Sequence, residues 1–258
     1  MSGQLTPPRK RKIRNRVEDR LSKVEDRLES ISSGRTQPRM EYLRLNESKE
    51  YRLGMVFLDI NSFSDYLFDN SEDEALRMLN IFIPEVLDII RDYGGVFEKN
   101  TGDGVLAYFG AGKSDTVAVR TILDFLATVK WALANVINPQ LQEKGIAPIS
   151  ISCGATYGTT YLSRIGVKSG NQQMNRLTAV SKIANTASRL EEKAGMNEYL
   201  VGPRIEYYSQ ETSWDSWMEF REVLEYRWSP KSDSDERLFR IYDFVGEWNS
   251  TKTENLEP

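Results

Sequence analysis

Val56-Phe57-Leu58-Asp59-Ile60-Asn61-Ser62-Phe63 decides how this chain is read. Its apolar residues continue a β-rich lead-in from Tyr51, so Tyr51 to Ile60 reads as a buried strand with a carboxylate near its end. The chain then turns into a helix, and the backbone N–H groups of Ile60, Asn61, Ser62 and Phe63 can cradle phosphate there. A second carboxylate stands in a comparable place. Val96 to Asn100 and Val105 to Phe109 read as two strands joined through Thr101-Gly102-Asp103-Gly104. The glycines on either side of Asp103 let this turn adopt conformations that a bulkier residue resists. Asp59 and Asp103, with the backbone of Ile60, form a set able to hold two hard divalent cations, Mg2+ or Mn2+, about 4 Å apart.

Outward from these two segments the pattern alternates between strands and helices. Leu76, Leu79, Ile83, Val86, Leu87 and Ile90 give a helical stripe that Gly94-Gly95 stops. A long helix is expected from about Ser114 to Gln142, broken by Gly145 and Pro148. Ile149 to Tyr157 reads as a strand ending at Gly158, with Thr159 to Val167 returning along it. A further helix is expected over Arg176 to Lys193, then a strand at Glu198 to Val201. Met218 to Trp228 and Arg237 to Phe244 read as a closing hairpin. This order implies an α+β fold of the ferredoxin-like βαββαβ kind with extra C-terminal strands.

The N-terminal region reads differently. Residues 1 to about 16 are polar and basic, with Arg9, Lys10, Arg11, Lys12, Arg14 and Arg16 clustered, and are expected to form a solvated tail. Val17, Leu21, Val24, Leu28 and Ile31 follow 4-3-4-3 spacing, an a/d seam. Two heptads are too few for a stable coiled coil alone. The reading favours a short dimer-supporting helix over one packed on its own domain. Ser32 to Pro38 serves as a linker. The expected organisation is a tail, helix and linker over 1–48, one folded domain over 49–245 and a flexible tail over 246–258.

A chain of 258 residues has room for one domain with a good-sized core. The net charge of −4 gives no global reason to expect nucleic-acid binding. The single cysteine, Cys153, excludes an intrachain disulfide. No apolar run approaches the length of a membrane span and the N-terminus lacks a signal-peptide core, so a cytoplasmic protein is expected. The absence of histidine removes His-based general bases and His-ligated zinc.

A third segment, Asn185-Thr186-Ala187-Ser188-Arg189, completes a pattern with the two aspartates. Together they resemble the active-site signature of the class III nucleotidyl cyclases, over roughly residues 50 to 245. That resemblance implies a two-metal enzyme that converts a nucleoside triphosphate to a 3′,5′-cyclic nucleotide and pyrophosphate. Asn185 would orient the ribose, and Arg189 would contact the α-phosphate as charge builds there. The physics agrees, since a planar, permanently charged guanidinium suits a pentavalent phosphorus. In the family the metals and the Asn/Arg pair come from different subunits, so the resemblance implies a homodimer with two symmetric sites. Lys231 is taken as the basic residue for the outer phosphates, with Arg227 nearby. An inactive cyclase-like nucleotide sensor is the non-enzyme alternative. It predicts a missing metal aspartate or arginine, and neither is missing.

Two positions that read the base in this family form a hybrid here. Adenylate cyclases usually carry Lys four residues before the second metal Asp and Asp seven before the ribose Asn. Guanylate cyclases usually carry Glu and a small residue. This chain has Lys99 and Thr178. Lys99 can only donate, and the Thr178 hydroxyl can donate or accept. A base with carbonyls, no amine and one N–H fits best, which is uracil; CTP and ATP remain competitors. The hybrid also resembles the small bacterial Pycsar cyclases of anti-phage defence, whose cyclic UMP or cyclic CMP is read by a separate effector. Ser181 stands where many family members have Gly, which puts the shape of the loop opening the helix in question.

Overall fold

The computed structural model describes residues 5–29, 48–100, 102–169, 172–210, 218–224 and 239–247. The elements run α1 (Pro7–Glu29), β1 (Ser48–Ile60), α2 (Phe63–Asp69), α3 (Glu72–Asp92), β2 (Val96–Asn100), β3 (Val105–Phe109) and α4 (Asp115–Ala132). A π-helical turn (Leu133–Ile137) leads into α5 (Asn138–Glu143). Then come β4 (Ile151–Ser169), β5 (Gln172–Val180), α6 (Lys182–Lys193), β6 (Tyr199–Val201), α7 (Pro203–Gln210), β7 (Phe220–Glu222) and β8 (Tyr242–Phe244). The α+β architecture expected from the sequence is what the chain adopts.

One sheet runs in the order β2-β3-β1-β4-β6-β8-β7, with β5 paired to β4 beyond that path. Neighbours are antiparallel except β4 and β6, which are parallel. A parallel pair needs a crossover, and α6 supplies it, which lays that helix on the sheet. The period-2 alternation of β1 divides the two faces. Leu53 and Met55 point toward α6 and pack with Leu106, Tyr108, Leu162 and Ala187. Val56, Leu58 and Ile60 point the other way, into the main core with residues of α3 and α4.

Helix α3 starts at a capping box. Ser71 Oγ accepts from the Glu74 N–H at 3.2 Å, and the Ser71 N–H donates to Glu74 Oε2 at 2.8 Å. Its deepest residues are Met78, Ile81, Phe82, Val86, Ile89 and Ile90, while Leu79, Ile83 and Leu87 pack at the margin. The buried stripe is rotated from the expected one because α1 covers one flank of α3.

That flank corrects the reading of the N-terminus. Pro7 to Arg16 is helical, and Ile13 and Val17 are buried in the main core, with Leu21 packed against it. Arg16 reaches Glu85 at 2.7 Å, Asp92 at 2.9 Å and Asp88 at 3.5 Å, and Lys12 reaches Asp92 at 2.9 Å. Arg9 and Lys10 lie over the rings of Tyr93 and Trp131. The basic cluster therefore complements the acidic flank of α3 instead of trailing in solvent. The first residues of the heptad serve a seam within the chain. The Val24 and Leu28 side chains, and Ile31 altogether, lie outside the described residues.

Three further readings change. β4 continues through Gly158 to Ser169, and the strand returning along it is β5. Gly158 is a point of close approach: a Cβ there would meet Arg204 Nη1 at 2.6 Å and Ile183 Cγ2 at 3.0 Å. Residues Arg176 to Val180 belong to β5, so Thr178 sits on a strand opposite Ser163. The helix begins only after Ser181, whose Oγ accepts from the Ala184 N–H at 3.1 Å. Helix α7 was not expected; Pro203 at its first position was the available signal. Among the described residues no helix is long and apolar enough to cross a membrane.

Candidate active site

Asp59 is the penultimate residue of β1, opposite Ser152 on β4, and is half-buried. Burial pushes its carboxyl up to about 7, the charges of Asp103 and Glu191 push in the same direction, and a hydrogen bond from the Ile60 N–H opposes them. Asp103 lies in the turn between β2 and β3, after Gly102 at φ 99°. Its carboxyl is also held above the usual range by burial, against a hydrogen bond from its own N–H.

Glu191 is the residue that sequence reasoning missed. It is raised by burial and by the charges of Glu192 and Asp103, against a hydrogen bond from the Ser152 hydroxyl at 2.8 Å. Ser152 is the register partner of Asp59, so the Glu191 carboxylate is held one strand position from Asp59. Gly154 makes this approach possible. A Cβ at Gly154 would lie 2.0 Å from the Ala187 carbonyl oxygen and 2.3 Å from the Glu191 nitrogen. The only sequence signal was that Glu191 follows Arg189 by two positions.

The groups acting on Asp59 thus include two other acids and no cation. Such a concentration of carboxylate charge fits divalent metal. Among the described residues no three acidic, His or Cys side chains gather as a metal cage. A cation here would use the two aspartates, backbone oxygen and oxygens from water or substrate, a pattern that suits Mg2+ with a phosphorylated ligand.

The turn after Asp59 is fixed by backbone. The Asn61 N–H donates to the Ser150 carbonyl at 2.9 Å, extending the β1–β4 ladder by one residue. Ser62 then takes a left-handed conformation, φ 51° and ψ 40°, and opens α2. The Asn61 side-chain oxygen is buried with no hydrogen-bond partner among the described residues. Phe63 packs against the main core.

Asn185 and Arg189 are exposed on α6 and share its outer side, as their spacing of four requires. The inner side carries Ala187 and Leu190 into packing with the sheet. The Thr156 hydroxyl also ties the helix down by donating to the Ile183 carbonyl at 2.9 Å. The structure therefore places Asp59, Asp103 and Glu191 within electrostatic reach on the sheet side of α6 and turns Asn185 and Arg189 outward from it. Lys99 is on β2, in register with Leu106, with its side chain outside the described residues. Thr178 is partly buried on β5. Arg227 and Lys231 lie outside the described residues.

The family model for the adenylate and guanylate cyclase catalytic domain matches residues 46–221. Among characterised proteins the chain is similar to a cytidylate cyclase of Staphylococcus aureus, 24% identical over 172 residues, which are 65% of this chain and 40% of that protein. It is also similar to a uridylate cyclase of Burkholderia cepacia, 27% identical over 163 residues, 61% of this chain and 68% of that protein. The chain thus spans well under half the length of the first relative. Among solved structures, the adenylyl cyclase CyaB from P. aeruginosa superposes with a TM-score of 0.64 at 21% identity, covering 78% of this chain and 97% of that one. At that identity the likeness establishes the fold.

Proposed function

The chain belongs to the adenylate and guanylate cyclase catalytic domain family, and from that premise we propose that it is a homodimeric nucleotidyl cyclase acting in the cytoplasm. The ribose 3′-hydroxyl of a nucleoside triphosphate attacks the α-phosphorus. The new 3′-O–P bond closes the ring as the bond to the β-phosphate breaks, releasing pyrophosphate. Asp59, Asp103 and the backbone of Ile60 hold divalent metal, Mg2+ or Mn2+. Bound there, the metal lowers the pKa of the attacking hydroxyl and neutralises the leaving group. Asn61, Ser62 and Phe63 present the turn that binds phosphate, Asn185 orients the ribose, and Arg189 holds the charge growing on the α-phosphate. Lys231 meets the outer phosphates. Residues 49–245 form the catalytic unit.

The observation that carries this reading is the pairing of two half-buried aspartates, one at a strand end and one in a turn, close enough for the charge of Asp103 to act on Asp59. The outward orientation of Asn185 and Arg189 supports sites shared across a two-fold axis, each chain giving its aspartates to one site and its α6 to the other. Lys99 and Thr178 read the base, and UTP is the favoured substrate. The name of the Burkholderia relative is in line with that choice. Cyclic CMP is the second reading, supported by the Staphylococcus relative and by a Thr178 hydroxyl able to accept from the cytosine amine. Cyclic AMP remains a third. The product would serve a separate effector in a bacterial anti-phage system.

The test is product formation from ATP, GTP, CTP and UTP separately with Mn2+, resolved against cyclic standards. Cyclic UMP is expected to dominate. Cyclic AMP as the main product would overturn the base reading and leave the reaction class standing. No product from any of the four would overturn the enzyme assignment.

A further inference from the structure

The Asn61 side chain has no role in the scheme above, and its oxygen is a buried acceptor two residues from Asp59. Asn61 Oδ1 is buried and accepts no hydrogen bond from the described residues. A buried acceptor without a donor destabilises the protein unless something absent from the free chain completes it. Its placement is not loose. The Asn61 N–H is bonded to the Ser150 carbonyl at 2.9 Å, continuing the β1–β4 ladder beyond Ile60. In an extended ladder residues two apart share a face, so Asn61 stands on the Asp59 side of the sheet. The following residue, Ser62, is left-handed at φ 51°, so the backbone changes direction only after Asn61 has been placed.

The missing partner must either donate or act as a Lewis acid. Phosphate oxygens do neither, so a triphosphate docking on this turn leaves Oδ1 unsatisfied. A hard divalent cation, or a water bound to one, satisfies it directly. We propose that Asn61 Oδ1 is a further oxygen of the Asp59 metal site, ligating the cation or accepting from its water. The inference rests on the assignment of metal to Asp59 and Asp103. It adds a neutral oxygen to a set in which the described residues offer only two carboxylates and backbone.

Mn2+ alone, without nucleotide, tests this on the full chain. Free Mn2+ is read by its electron paramagnetic resonance signal, and the thermal midpoint is recorded with and without metal. Asn61→Leu keeps the size of the side chain and removes the oxygen. It is expected to weaken Mn2+ binding about 10- to 100-fold. It should also leave the metal-free midpoint unchanged or higher, because an unsatisfied buried acceptor is gone. Asn61→Asp replaces the amide with a charged oxygen donor and is expected to bind Mn2+ more tightly than the wild type. That variant decides the matter if the Leu variant does not fold. Equal Mn2+ affinity in wild type and Asn61→Leu overturns the inference while the aspartate site stands. So does Asn61→Asp binding no more tightly. A wild type that takes up no Mn2+, or an Asp103→Asn variant that binds as well as wild type, brings down the metal assignment and this inference together.

Discussion

Gly154→Ala tests whether α6 is positioned by contact with the sheet. A Cβ there would sit 2.0 Å from the Ala187 carbonyl oxygen, 2.3 Å from the Glu191 nitrogen and 2.9 Å from Glu191 Cβ. Two of these three atoms are helix backbone, so no rotamer change relieves the clash. Ordinary contact begins at 3.4 Å, so α6 must move away by about 1.4 Å, the difference between 3.4 and 2.0 Å. Overpacking of this kind costs about 1–3 kcal/mol, which lowers the melting temperature by several degrees in a domain of this size. The functional effect should be larger than the stability effect. Arg189 lies between Ala187 and Glu191 and moves with them, and a displacement near 1 Å at a reacting group costs about 100-fold in rate. The assay is Mn2+-dependent cyclic nucleotide formation, at a temperature where circular dichroism shows the variant folded. Gly195→Ala is the control, because its added Cβ meets only Glu198 Oε2, at 3.6 Å. Full kcat in folded Gly154→Ala would refute the idea that this contact sets the position of Asn185 and Arg189.

Other consequences are as direct. Arg16→Ala removes a guanidinium from the fully buried Glu85 carboxylate and should destabilise the protein by about 3–5 kcal/mol. In thermal melts that is a shift on the order of 10 °C with kcat of the folded enzyme preserved; a shift under 2 °C would contradict it. Since Asp59 titrates near 7, a proton competes with metal below that pH. Mn2+ affinity should fall roughly tenfold between pH 8 and pH 6, following the ionised fraction of a group with that pKa. A flat affinity would exclude Asp59 as a ligand of this character. In the metal-free protein the same raised pKa has the opposite consequence for stability. The protonated carboxyl favours the folded state fully below about 4, and that contribution is lost as pH rises through about 7. Glu191→Gln removes one of the charges that raise Asp59, so the midpoint of Mn2+ binding against pH should move down; an unmoved midpoint would mean that Glu191 does not act on the site. Arg189→Ala should lower kcat by several orders of magnitude with a modest change in KM, and an effect confined to KM would contradict a role in the transition state.

The residues of the candidate site stand out in the sequence because the patterns that mark them are local. Asp59 is marked by a buried strand ending in polar residues, and Asp103 by a turn between two short apolar runs. Asn185 and Arg189 follow from a spacing of four on one helix. What escaped depends on partners distant in sequence. The basic residues of α1 resemble a disordered tail until Glu85, Asp88 and Asp92 are seen on the facing helix. Gly158 resembles a strand breaker until Arg204 and Ile183 are found packed across it. The helix expected from Arg176 begins only at Lys182, where the Ser181 hydroxyl caps it, because Arg176 to Val180 pair with the distant strand β4. Glu191 has no meaning for the site without Gly154, the residue that lets its helix approach the strand.

That approach also explains why the acid pocket and the outward arginine belong to one device. Helix α6 presses Glu191 toward Asp59 on its inner side and presents Arg189 on its outer side. In the metal-free protein the inner contact is electrostatically unfavourable, since Asp59, Asp103 and Glu191 raise one another's proton affinity or share its cause in burial. A divalent cation on the two aspartates would cancel their charge and so relieve that repulsion on Glu191. Charge on the aspartates and the seating of α6 are therefore linked within the chain, through Ser152 and Gly154.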